Sequence, residues 1–96
     1  MPAPTLKVPP RLRDLIRQLH PDLKRKVRAA LSDILKDPAS GKPLERELEG
    51  YWSFPIGRHR IIYRPDQGGA EIVAIGPRRT IYEDAVRRIF RTREGS

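Results

Sequence analysis

The spacing of apolar residues changes character near Gly50, and that change sets the fold class. Upstream, Leu12, Leu15, Ile16 and Leu19 recur at i, i+3, i+4 and i+7, the period of one helix face. Pro10 suits the first turn, where its missing N–H costs nothing. His20-Pro21 then interrupts, because a proline disfavours helical geometry in the residue before it. A second helix is predicted from Pro21 or Asp22 to about Lys36, with the stripe Leu23, Val27, Ala30, Leu31, Ile34 and Leu35. Asp22 near its start and Lys36 near its end complement the helix dipole. The expectation is two antiparallel helices joined by a short turn.

Downstream of Gly50 the period falls to two. Trp52, Phe54 and Ile56 alternate with Ser53 and Pro55. Gly57-Arg58 reads as a tight turn, His59 to Arg64 as the next strand, and Pro65 to Gly69 as a second turn. Glu71 to Ile75 completes a three-strand meander, ended by Gly76-Pro77. Helical spacing resumes from Ile81 to Phe90, and Arg91 to Ser96 reads as a frayed tail. Residues 37–43 read as a loop, and LERELEG as one short helical turn. Leu6-Lys7-Val8 is a short extended segment able to pair as a strand. The expected fold is one α+β domain over residues 1–96, ordered β-α-α-β-β-β with a closing helical segment. An antiparallel meander sheet packs on the helical hairpin, and its other face stays partly open.

Charge narrows the function. Twenty Lys and Arg against twelve Asp and Glu leave a net charge of +8. Such an excess on a small body attracts polyanions, nucleic acid first among them. Every basic residue after Gly50 is an arginine, whose planar fork matches phosphate oxygens. No cysteine is available for a disulfide or a metal site, and His20 and His59 lack zinc-ligand spacing. No cofactor or metal is expected. The start MPAPTLKVPP lacks the marks of a secretory signal, and no apolar run nears the roughly 18 residues of a membrane span. A soluble cytoplasmic protein with no membrane partner is the expectation.

Alternation then assigns the faces. Trp52, Phe54 and Ile56 need burial and belong against the helices, which turns Ser53 and Pro55 to the open face. On the next strand, Arg58, Arg60, Ile62 and Arg64 share a face that the cost of burying an unpaired arginine assigns to the open side. Arg60 then projects from mid-strand, within reach of Arg78, Arg79 and Tyr82 just past the third strand. The alternatives are a solvated arginine face, or arginines paired with the chain's own carboxylates. By the same alternation His59 faces the helices as a structural residue, and His20 sits at a helix terminus.

These residues fall into a recognisable order. Leu48-Glu49-Gly50, Gly57-Arg58-His59-Arg60-Ile61-Ile62-Tyr63 and Gly76-Pro77-Arg78-Arg79-Thr80-Ile81-Tyr82, behind a leucine-rich hairpin, resemble the toxins of the RelE/ParE superfamily over nearly the whole chain. The resemblance implies a RelE-like α+β fold and the toxin role in a type II toxin–antitoxin system. It implies a cognate antitoxin as partner, and operator DNA bound through the antitoxin complex. Within the superfamily, the RelE branch cleaves mRNA in the ribosomal A site and the ParE branch inhibits DNA gyrase. The Arg-Arg…Tyr close looks more like RelE, which makes the ribosome and mRNA the expected targets.

By the same resemblance, Arg60, Arg79 and Tyr82 are the candidate catalytic residues, with Arg58, Arg64, Arg78 and Ser53 as candidate RNA contacts. Metal-independent cleavage needs a deprotonated 2′-hydroxyl, a stabilised phosphorane and a protonated leaving oxygen. Arg60 and Arg79 suit charge stabilisation, and Tyr82 is the remaining candidate base. The sequence departs from RelE at two strand positions where that toxin carries lysines and this chain carries Ser53 and Pro55. That departure keeps two non-enzymatic alternatives open, a gyrase inhibitor and a module that only binds its antitoxin.

Overall fold

The computed structural model describes residues 4–95, with side chains through residue 91. Its elements are β1 (Thr5–Lys7), α1 (Pro10–Arg17), α2 (Pro21–Lys36), β2 (Lys42–Pro43), β3 (Trp52–Ile56), β4 (His59–Asp66), β5 (Gly69–Pro77) and α3 (Ile81–Gly95). Single 3-10 turns, Pro38–Ser40 and Arg46–Leu48, flank β2. The hairpin forms as the proline spacing predicts. Pro10 opens α1, and His20 caps α2 by accepting a 3.2 Å hydrogen bond at Nδ1 from the Asp22 amide.

The strands form one sheet in the order β1-β5-β4-β3-β2. The antiparallel meander is its centre, and two short strands extend it. β1 runs parallel to β5, Leu6 opposite Ala70, so the sheet is mixed. β2 pairs with β3 inside the stretch expected as a loop. Neither addition has a local signature, because each is a pairing with residues distant in sequence. Gly69 admits β1, since any Cβ there would collide with the Thr5 carbonyl.

Two cores lie on the two faces. Leu12, Ile16, Val27, Ala30 and Ile34 of the hairpin pack on Ile56, Ile61, Tyr63, Ala70, Ile72 and Ile75, with Trp52 and Phe54 at the margin. The other face is not left open over its centre. Ile81, Ala85 and Ile89, one stripe of α3, pack on Ile62, Ala74 and Leu48. The backbone of α3 continues to Gly95, through most of the stretch expected to fray. A bulge makes the second core possible. Ile62 pairs with Ala74 and Tyr63 with Ile72, leaving Val73 as an extra residue that shifts the alternation of β5. Ile72 and Ile75 therefore both face the hairpin, while Ala74 faces α3.

Candidate functional site

Two cross-strand rows build the α3 face. Ser53, Ile62 and Ala74 align in one row, and Pro55, Arg60 and Gly76 in the next. α3 covers the first row and enters over the second, where a Cβ on Gly76 would come within 3.0 Å of Ile81 Cδ1. The second row is thus where the sheet emerges from beneath the helix, with an arginine at its centre.

Arg60 is half-buried and held by the backbone. Its Nη1 donates to the carbonyls of Gly57 at 2.7 Å and His59 at 2.8 Å, so the guanidinium is fixed over the β3–β4 turn. Gly57 takes φ +58°, a left-handed turn geometry that glycine adopts at no steric cost. The Arg78 amide donates to the Arg58 carbonyl at 2.8 Å and ties this turn to the end of β5. The result is a cleft of about 600 Å³ lined by Gly57, Arg58, Pro77, Arg78 and Arg79. Three of the expected arginines are thus brought together at its wall, beside Arg60. Fork-shaped cations on a concave surface suit an anionic, phosphate-bearing ligand.

Tyr82, in the first turn of α3, lies half-buried on the same face. Its hydroxyl shares a 3.2 Å hydrogen bond with Ser53 Oγ. Ser53 points to the α3 side, as alternation required, but it is buried at 5% exposure beneath that helix. Pro55 is exposed. Of the two positions where RelE has lysines, one is covered by Tyr82 and the other carries no donor.

Arg64 does not join this group. It lies toward the other end of β4 and pairs with Glu71 at 3.3 Å. His59 is half-buried between Ile56 and Pro77 in the ladder. Tyr63, the tyrosine closing the strand motif, is a core residue with no exposure. Its hydroxyl donates to the Pro38 carbonyl at 2.6 Å and accepts from the Gly41 amide at 3.1 Å, clamping the loop before β2. Burial pushes its pKa above the ordinary value, against the opposing pull of the Gly41 and Ser40 hydrogen bonds. Among the described residues, no three His, Asp or Glu side chains gather as a metal site. No helix there is long and apolar enough to cross a membrane.

Comparison with known proteins places this architecture. The family described as the ParE toxin of the type II toxin-antitoxin system parDE matches residues 10–82, from the start of α1 to Tyr82. The chain belongs to that toxin family. Toxin YoeB of Streptomyces coelicolor is 35% identical over 54 residues, covering 51% of this chain and 64% of its own length. Toxin RelK of Mycobacterium tuberculosis is 42% identical over 45 residues, 42% of this chain and 53% of its own. The chain thus spans between half and two thirds of the curated relatives it matches.

Comparison with solved structures extends the likeness across the fold. The toxin–antitoxin complex RelBE of M. tuberculosis contains a chain 30% identical, with TM-score 0.66 over 81% of this chain and 94% of its own. A variant of E. coli RelE in the free state has the same fold, with TM-score 0.69 and 20% identity over 92% of this chain and 99% of its own. The expected RelE-like α+β class is the observed one.

What the sequence did not reveal is a second cluster. Arg11, Tyr51, Arg64, Glu71 and Arg88 meet beside the middle of α3 around a cleft of about 350 Å³. No local motif could signal it, because α1 and α3 contribute residues from opposite ends of the chain.

Proposed function

We propose that this protein is the toxin of a type II toxin–antitoxin pair and cleaves mRNA on the ribosome as a metal-independent endoribonuclease. The observation that carries this reading is the convergence of Arg58, Arg78 and Arg79 on one cleft, beside a backbone-fixed Arg60 and on the face that bears Tyr82. Such preorganised donors stabilise developing phosphorane charge without reorganising during the reaction. Arg60 holds its turn through Nη1, which leaves Nη2 and Nε for a phosphate oxygen. Arg79 supplies the second cation. Tyr82 is the group nearest in kind to an acid or base, with Ser53 as its hydrogen-bond partner. An antitoxin that neutralises the protein would cover this basic surface.

The absence of strand lysines favours slow chemistry or help from ribosomal RNA. It also supports the second reading, gyrase inhibition, as does the ParE description of the matching family. Ser53→Lys does not simply restore the missing base, because the serine lies beneath Tyr82. The separating experiment supplies the protein to translating ribosomes without added metal and maps mRNA ends. Cuts within A-site codons, with free RNA cut poorly, support the ribonuclease. Intact mRNA on saturated ribosomes together with inhibited gyrase supercoiling would move the assignment to the ParE branch. Tyr82→Phe slows the cut if the hydroxyl transfers a proton and leaves it unchanged if the ring only stacks.

A further inference from the structure

A serine lies among apolar side chains on the α3 face. Ser53 is 5% exposed, and the other members of its cross-strand row are Ile62 and Ala74, whose side chains offer no hydrogen-bonding group. A hydroxyl taken out of water is costly unless it is bonded. Among the described residues the Ser53 side chain has one partner, the Tyr82 hydroxyl at 3.2 Å. Packing brings the two together. Tyr82 follows Ile81 at the start of α3, and its ring packs on the small core that Ile81 and Ala85 form with Ile62 and Ala74. The helix thus holds the ring, and the strand receives the hydroxyl. Ser53, expected as an RNA contact, is covered, so its influence on a bound RNA runs through Tyr82.

We propose that Ser53 is a positioning residue for proton transfer by Tyr82, holding the tyrosine hydroxyl in a fixed relation to Arg60. It rests on the reading of the protein as a ribonuclease and assigns a role which that reading leaves open. Two properties suit Ser53 to it. The first is its place in the sheet. Ser53 stands opposite Ile62, two residues from Arg60 on the same strand, so the two positions are diagonal neighbours, about 7–8 Å apart. Arg60 is itself tied to the Gly57 and His59 carbonyls. One bond to Ser53 therefore puts the tyrosine hydroxyl on the same ladder as the arginine. The second property is chemical. A serine hydroxyl both donates and accepts, so it accepts from Tyr82 while the phenol holds its proton and donates once that proton has gone. Neither side chain has to move between the two states. A lysine ammonium at this position would only donate.

The test uses Ser53→Ala, which removes one oxygen and adds no bulk, with two readouts. In single-turnover cleavage on ribosomes, Ser53→Ala should slow the cut about ten- to hundredfold at saturating protein, the scale of a misplaced reacting group. The concentration giving half the maximal rate should not change, because the lost contact orients a group and binds no RNA. In a Tyr82→Phe background the same substitution should cost nothing further, since the two residues act as one unit. The second readout needs no activity. In protein carrying tyrosine labelled with carbon-13 at Cζ, Ser53→Ala should shift the Tyr82 signal. It should leave Tyr63, bonded to Pro38 and Gly41, where it was. An unmoved Tyr82 signal overturns the proposal. So does an equal loss of rate in the wild-type and Tyr82→Phe backgrounds, which would mark Ser53 as merely structural. If mRNA is never cut yet the Tyr82 signal depends on Ser53, the positioning contact stands and the ribonuclease reading alone falls.

Discussion

The two faces of the sheet are built from the same three central strands and differ in almost every other respect. Toward the hairpin, β3, β4 and β5 present Trp52, Phe54, Ile56, Ile61, Tyr63, Ile72 and Ile75, a continuous apolar surface. Toward α3 the same strands present Ser53, Ile62, Ala74 and Gly76, with Arg60 where the helix begins. Large side chains fill one face. Apart from Ile62, the other face carries small side chains that admit a single helix stripe and leave room at its end for charge. A burial term of about 1.5–3 kcal/mol per large aliphatic side chain concentrates stability on the hairpin face. The α3 face holds the candidate chemistry at the rim of its smaller core, where Arg60 meets the backbone carbonyls of the β3–β4 turn.

That division can be broken by substitution. Ile61→Ala, on the hairpin face with no exposure, should lose about 2–5 kcal/mol in chemical denaturation. Arg60→Ala, one residue earlier on the opposite face, should stay folded and lose only about 1 kcal/mol, for the bonds to the Gly57 and His59 carbonyls. It should reduce growth arrest and A-site cleavage by about 100- to 1000-fold, the usual loss for one transition-state donor. A folded Arg60→Ala protein that arrests cells like wild type would refute the site.

Tyr63 sharpens the comparison, because it carries a polar group into the apolar face. Tyr63→Phe strands the Pro38 carbonyl and the Gly41 amide and should cost about 1–3 kcal/mol. Its raised pKa means that the folded state holds the phenolic proton more tightly than the unfolded state. This contribution is complete below the ordinary value of 10.0 and is lost as pH rises beyond it, toward the folded value. Wild type should therefore lose stability above that pH more steeply than Tyr63→Phe in denaturant titrations. The smallest effect is expected at the exposed sheet edge, where the Lys7–Asp66 pair spans 3.3 Å. Lys7→Ala should change stability by less than about 1 kcal/mol, since solvent screens an exposed pair. A larger loss would show that β1 depends on charge as well as on its ladder.

Much of this was legible along the chain. The break at Pro21, the alternation from Trp52 to Ile56 and the turn at Gly57 are written in residues a few positions apart, and the corresponding elements formed where expected. The arginines at the strand ends also met, because the β3–β4 turn and the end of β5 are neighbours in any meander. The parallel pairing of β1, the short β2 and the Val73 bulge were not legible, as each depends on a partner far away in sequence.

Local periodicity was therefore enough to specify the helices, the central strands and the side to which the residues of β3 and β4 point, but not the shifted alternation of β5. It could not say what would lie over the second face. α3 covers that face because its Ile81, Ala85 and Ile89 stripe needs burial, and the surface of Ile62, Ala74 and Gly76 is shallow enough to receive it. The same docking placed Tyr82 over Ser53, so a position that alternation correctly turned away from the hairpin ended up buried rather than exposed. Exposure belongs to the packed assembly of elements, and a strand's two-residue period encodes only the side.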